Sequence, residues 1–164
     1  MKNNFNKIII IFIIALLITI ILNLFLYTSK KNLSSLSLDN YIKIDSINTS
    51  LYGVNLIISC NMITMTPTSD QIYSIQRGLE NRITSRPLTH DLIKSIFNTF
   101  KIEVIMVKII DYNNGVYFAN LILKQGNKIL NIDSRPSDAI AIAVRLNKPV
   151  YIKEDLLKRG LKFC

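Results

Sequence analysis

Ile8 to Tyr27 is a run of twenty residues broken only by Thr19 and Asn23, and no other feature of this chain limits its folding as much. As an α-helix such a run is about 30 Å long, the thickness of a bilayer's hydrocarbon core. Lys2 and Lys7 precede it, and Lys30 and Lys31 close it. A cleaved signal peptide is the competing reading, but its apolar core is usually only about 7–15 residues and ends at a small-x-small site. Here the exit reads Leu26-Tyr27-Thr28-Ser29, so an uncleaved membrane anchor over residues 8–27 is favoured. Lysines on both flanks balance each other under the positive-inside rule, so the side faced by the remainder of the chain is not set.

The run also accounts for the chain's apolar excess. Hydrophobic residues make up 49% of the 164. Without residues 8–27 the figure falls to roughly 43%, an ordinary globular value. That excludes a disordered chain and a multi-span membrane protein. Residues 1–7 read as a short basic start and 28–40 as a tether of Ser, Leu, Asn and Lys with no sustained period. Residues 41–164 read as one domain. All 11 acids lie from Asp39 onward and four lysines lie before it, so the net charge of +9 falls to about +5 for this part. That balance permits contact with phosphates or anionic lipid without demanding it.

Two cysteines, Cys60 and Cys164, are too few for a disulfide framework or a structural zinc site, and Cys60 is most simply a buried strand residue. A single histidine, His90, excludes multi-histidine metal centres and the His-x-x-x-His metalloprotease pair.

Within the domain, Tyr41–Ile47 alternates as a half-buried strand does, and Val54–Cys60 follows Gly53 as a second. Thr68 or Ser69 can cap a helix carrying Ile72, Ile75 and Leu79 on one face. Thr89 can cap the next, with Asp91 in its first turn and Leu92, Ile93, Ile96, Phe97 and Phe100 as a continuous apolar face. Glu103–Asp111, Val116–Lys124 and Ile129–Ile132 form a three-strand meander around Asn113-Asn114-Gly115 and Gly126-Asn127. Ala139–Leu146 alternates like a strand, but its alanines, Pro136 at the start and Asp138 in the first turn predict a helix. A short strand at 149–152 and a helical turn from Glu154 to Arg159, ended by Gly160, close the chain. The fold class is α+β: a mainly antiparallel sheet with two to three packed helices, preceded by one transmembrane helix.

Ser85-Arg86-Pro87 and Ser134-Arg135-Pro136 each open a helix with an Asp in its first turn. Brought together, two such turns would suit a phosphodiester. Arginine forks hold phosphate oxygens, helix-start amides share the charge, and carboxylates bind a divalent metal such as Mg²⁺ or Mn²⁺ or orient water. His90, titrating near neutrality, would handle a proton. On spacing alone these devices are more often structural caps, and His90 is more often a surface residue. Asp111 and Asp133 sit at strand ends, where turn formation explains them equally well. Lysines 124, 128, 148, 153, 158 and 162 read as a solvated edge.

At these turns the chain resembles a known family. Arg86-Pro-Leu-Thr-His-Asp-Leu92 and Asp133-Ser-Arg-Pro-Ser-Asp-Ala-Ile140, with Arg145 beyond and Gly115-Val-Tyr-Phe-Ala-Asn-Leu121 between, are similar to the bifunctional nuclease domain. The resemblance covers Arg86–Gly160, extends more weakly back to Tyr41, and leaves out the anchor. It implies an α+β domain acting on DNA and RNA phosphodiesters. It makes the charged and hydroxyl residues of the two motifs the site candidates; by their chemistry His90, Asp91, Asp133 and Asp138 are the catalytic ones, and Arg86, Thr89, Arg135 and Ser137 the phosphate- or substrate-binding ones. Met65–Gln71 departs from the family pattern, where a Leu-Pro-Ile strand end, a glycine and an acidic-Ala pair are expected. A non-catalytic binding module tethered to the membrane is the alternative, and homo-oligomer formation is left open.

Overall fold

A computed structural model describes residues 2–82 and 84–163. Cys164 lies outside the described residues. The chain divides into two compact units, Met1–Ser37 and Leu38–Cys164.

The first unit is one helix, α1 (Lys2–Leu36). Its stretch Ile10–Tyr27 is long and apolar enough to cross a membrane, and none of it is buried against protein. The helix continues past the apolar run into residues expected to be an irregular tether. No Gly or Pro interrupts Thr28–Leu36, and Ser, Asn and Lys each cost a growing helix only about 0.7 kcal/mol or less.

The second unit is α+β. Its strands are β1 (Tyr41–Lys43), β2 (Ser46–Thr49), β3 (Val54–Ile58), β4 (Asn61–Met65), β5 (Glu103–Asn113), β6 (Val116–Gln125), β7 (Lys128–Ser134), β8 (Val150–Lys153) and β9 (Leu161–Lys162). Its helices are α2 (Ser69–Leu79), α3 (Thr89–Thr99) and α4 (Pro136–Leu146). Two sheets form, in the orders β1-β8-β5-β6-β7 and β2-β3-β4-β9. Every pairing is antiparallel except β5 with β8.

The expected single strand over Tyr41–Ile47 is instead a crossover between the sheets. Ile44 N–H donates to Val150 O, while Asp45 N–H donates to Ile57 O, so the chain changes partners between those two residues. Cys60 corrects a second expectation. It is exposed in the turn between β3 and β4, its carbonyl accepts from Phe163 N–H, and its sulfur is in a disulfide rather than a buried thiol. The strands β4 and β9 have no counterpart in the sequence reading. The meander is present, and Asn114 and Gly115, at φ 50° and 86°, make the left-handed two-residue turn that a tight hairpin needs.

The core lies between the sheets and α4. Ala139 to Ala143 are all buried, and the alternation in that segment is a helix whose small residues allow close approach on several sides. Helix α2 comes so near that a Cβ on Gly78 would lie 2.5 Å from Val144 Cγ2. Helix α3 has no fully buried residue. Ile93 and Phe97 pack against the core, whereas Leu92, Ile96 and Phe100 face outward, so its expected continuous face is only half used.

Candidate functional site

The starts of α3 and α4 meet. Leu88, not Thr89, is the cap residue of α3. Leucine has no side-chain acceptor, and the cap is completed by Asp91 instead, whose Oδ2 accepts from Leu88 N–H at 2.9 Å. This turn presents His90 to α4, where Pro136 at the first position and Asp138 in the first turn set the opposing face. His90 Nε2 lies 3.4 Å from Asp138 Oδ1, a loose contact for a hydrogen bond. Asp138 Oδ2 accepts from Arg135 Nε at 2.7 Å, and that arginine is 72% exposed, leaving its terminal nitrogens for a ligand. On the other side of the imidazole, Ser74 Oγ of α2 stands 2.8 Å from Nδ1.

These groups share a cavity of about 580 Å³, lined also by Asp70, Gln71, Tyr73 and Thr89. His90 is held below its ordinary value, first by burial and then by the charge of Arg145, against the opposing pull of Asp138 and Asp91. It is therefore neutral at physiological pH and able to accept a proton.

Beneath lies a second ionic layer. Arg145 is buried and donates through Nε to Asp91 Oδ1 at 2.6 Å, and through one terminal nitrogen to the Ser74 and Ala141 carbonyls. Its other terminal nitrogen is buried with no hydrogen-bond partner among the described residues. Burial pushes the Asp91 carboxyl up, but the Arg145 and Leu88 hydrogen bonds and the Arg145 and Lys94 charges outweigh it and hold the group below its usual value.

Of the sequence candidates, the structure brings together His90, Asp91, Asp138, Thr89 and Arg135. Ser137 is buried beside them and lines an adjoining cavity of about 240 Å³. Arg86 is exposed in the loop before α3, and Asp133 is exposed on β7 opposite Asn120. Neither is in an ion pair among the described residues. Ser74 was missed. Its one sequence signal is a small polar residue on the buried face of α2, beside Ile75 and four residues before Gly78. Helix α2 contributes through Gln71 and Ser74 although its start departs from the family pattern. Among the described residues, no three His, Cys, Asp or Glu side chains are grouped to hold a metal ion. Asp70 and Asp138 are the carboxylates of the main cavity.

Comparison with known proteins gives a consistent result. The family model described as the bifunctional nuclease domain matches residues 59–162. An uncharacterized protein of Mycobacterium tuberculosis is 38% identical over 85 residues, covering 52% of this chain and 48% of that protein. Bifunctional nuclease 1 and bifunctional nuclease 2 of Arabidopsis thaliana are each 33% identical over 85 residues, covering 50% of this chain and 26% of theirs. The chain thus spans about half or less of the length of the curated relatives it matches.

Proposed function

Because the chain belongs to the bifunctional nuclease domain family, we propose that its second unit cleaves phosphodiester bonds of DNA or RNA at the meeting point of α3 and α4. The observation that carries this reading is the convergence of His90, Asp138 and the exposed Arg135 on one open cavity. Arg135 holds the phosphate. A water bound between Asp138 and His90 Nε2 attacks phosphorus and gives its proton to His90, while the bond from phosphorus to one sugar oxygen breaks and that leaving oxygen takes a proton from solvent. The transfer to His90 needs the tautomer protonated at Nδ1, which donates to Ser74 Oγ. Asp91, with both oxygens engaged, positions the turn that bears His90. Mg²⁺ is commonly held by one or two carboxylates plus substrate phosphates, and Asp70 and Asp138 are the residues that would hold such an ion.

The test uses the full chain in detergent with labelled single- and double-stranded DNA and RNA, in EDTA and then in Mg²⁺ or Mn²⁺. Cleavage is expected, and Arg135→Ala is expected to raise KM about tenfold, the loss of one charge-assisted phosphate contact. No cleavage in any condition, or an unchanged KM, would overturn the assignment. The rival reading, a non-catalytic binding module, draws on the ion pairing of both Asp91 and Asp138. Oligonucleotide binding without cleavage would favour it.

The apolar helix supports anchoring in a lipid bilayer through residues 8–27, and the Cys60 disulfide favours an oxidising compartment for the second unit. The protein is expected to stay in the membrane pellet after alkaline carbonate extraction. A membrane-impermeant maleimide is expected to label Cys60 on intact cells only after impermeant reductant. Labelling confined to lysed cells would place the unit on the cytosolic side.

A further inference from the structure

Two further cavities of the second unit adjoin, one after the other, the cavity that holds His90. Gln71 and Arg135 line both the main cavity and the adjoining one of about 240 Å³. Thr66, Gly115 and Tyr117 line both that one and a third of about 490 Å³. In series the three run from the start of α4, past the Asn114-Gly115 hairpin turn, to Arg159.

The far end brings together two tyrosine rings tilted 58° to each other and a guanidinium. Tyr112 and Tyr117 are directly opposed on β5 and β6, with ring centroids 4.5 Å apart. Arg159, at the end of the helical turn Glu154–Arg159, lays its guanidinium 4.4 Å from the Tyr112 centroid. Arg159 is exposed and in no salt bridge among the described residues, so its charge is not neutralised by a carboxylate there. Gly115 between the two ends adds no side chain, and a Cβ built there would meet nothing within 4 Å.

We propose that these three cavities act as one groove that binds single-stranded nucleic acid longer than a dinucleotide. One phosphate lies at Arg135, and an unstacked base lies against Tyr117 and the Arg159 plane. The inference deepens the nuclease reading and rests on it for the identity of the ligand. Aromatic rings and guanidinium planes accept bases by their faces. A duplex keeps those faces stacked inside itself, so only a single strand can use this end of the groove. The guanidinium, in no salt bridge among the described residues, adds attraction for the backbone without reading sequence.

The experiment measures binding by fluorescence anisotropy with the full chain in detergent and EDTA. The probes are a thymidylate dodecamer, a thymidylate dinucleotide and a twelve-base-pair duplex. The parent is expected to bind the dodecamer about tenfold or more tightly than either of the others. Tyr117→Leu and Arg159→Ala are each expected to close most of the gap between dodecamer and dinucleotide. Arg159→Ala is also expected to reduce the slope of log affinity against log salt by about 0.7, the signature of one lost contact to a single strand. Tyr117→Phe, which keeps the ring, is expected to keep the gap. A parent without length preference, a parent preferring the duplex, or variants that retain the gap while only lowering the melting temperature would overturn the proposal. A parent that shows the gap but never cleaves would overturn the nuclease reading and leave the groove standing. A cleaving parent whose variants keep the gap would do the reverse.

Discussion

Replacing Arg145 by methionine is expected to lower the melting temperature of the second unit by roughly 10–20 °C. The guanidinium is 4% exposed and its partner Asp91 15%, so the pair is removed from water. Deleting one member of a buried pair typically costs about 3–5 kcal/mol, because the other charge is left desolvated and alone. For a unit of this size each kcal/mol is worth several degrees. Asp91→Ala is expected to cost as much, since it strands Arg145 and also removes the acceptor for Leu88 N–H. The double substitution Arg145→Met, Asp91→Leu is expected to recover much of the loss, as buried pairs replaced by apolar groups often do. Thermal melts of the three variants in detergent check this. A single-variant cost below about 1 kcal/mol, the value of an exposed pair, would show that the pair does not hold the helices together.

The pH dependence of stability follows from the same layer. Asp91 titrates lower in the folded chain than its ordinary 3.8, so its contribution is present above that value. It is lost as pH falls through 3.8 toward the folded value. His90 also titrates lower in the folded chain than its ordinary 6.5. The unfolded chain therefore takes up that proton first, and stability begins to fall on acidification from about pH 6.5.

What could be read from the residues was mostly local. Ala139–Leu146 is legible as a helix despite its alternation because proline and aspartate at its start are helix signals, and β5 to β7 are legible because turn chemistry fixes a hairpin. Those cues lie within a few residues of one another. The split at Ile44–Asp45 depends on which sheet each backbone group joins, and nothing near it in sequence records that. The outward half of α3 looks like a core face because Leu92, Ile96 and Phe100 have the right spacing. Whether a partner exists opposite them is a tertiary fact. The same distinction holds at the site. The two Arg-Pro turns announce helix starts, and the family resemblance picks out their polar residues. The contacts that give those residues chemical character, Ser74 on His90 and Arg145 on Asp91, span 16 and 54 residues. No local pattern encodes them. Arg86 and Asp133 share the turns' composition but not their position in the cavity, which composition alone does not separate.

His90→Gln and Asp138→Asn are each expected to slow cleavage by about 10²–10⁴-fold, the range for removing a positioned proton-transfer group. Both substitutions nearly preserve shape, and neither group is part of the buried pair beneath, so folding is expected to survive them. A melting temperature within a few degrees of the parent's separates this loss from collapse of the site. The pH profile then identifies the group. If His90 accepts the proton, its imidazole must be neutral, and kcat/KM of the parent rises with pH along a limb set by that residue. Burial and the Arg145 charge lower its titration, so the limb is expected below 6.5. In His90→Gln the residual rate is expected to lose that limb. Arg145 then has two separable effects: it supports the fold through Asp91 and keeps His90 unprotonated through its charge. A parent limb lying above 6.5, or a His90→Gln enzyme that keeps both the limb and the rate, would place the proton acceptor on another residue.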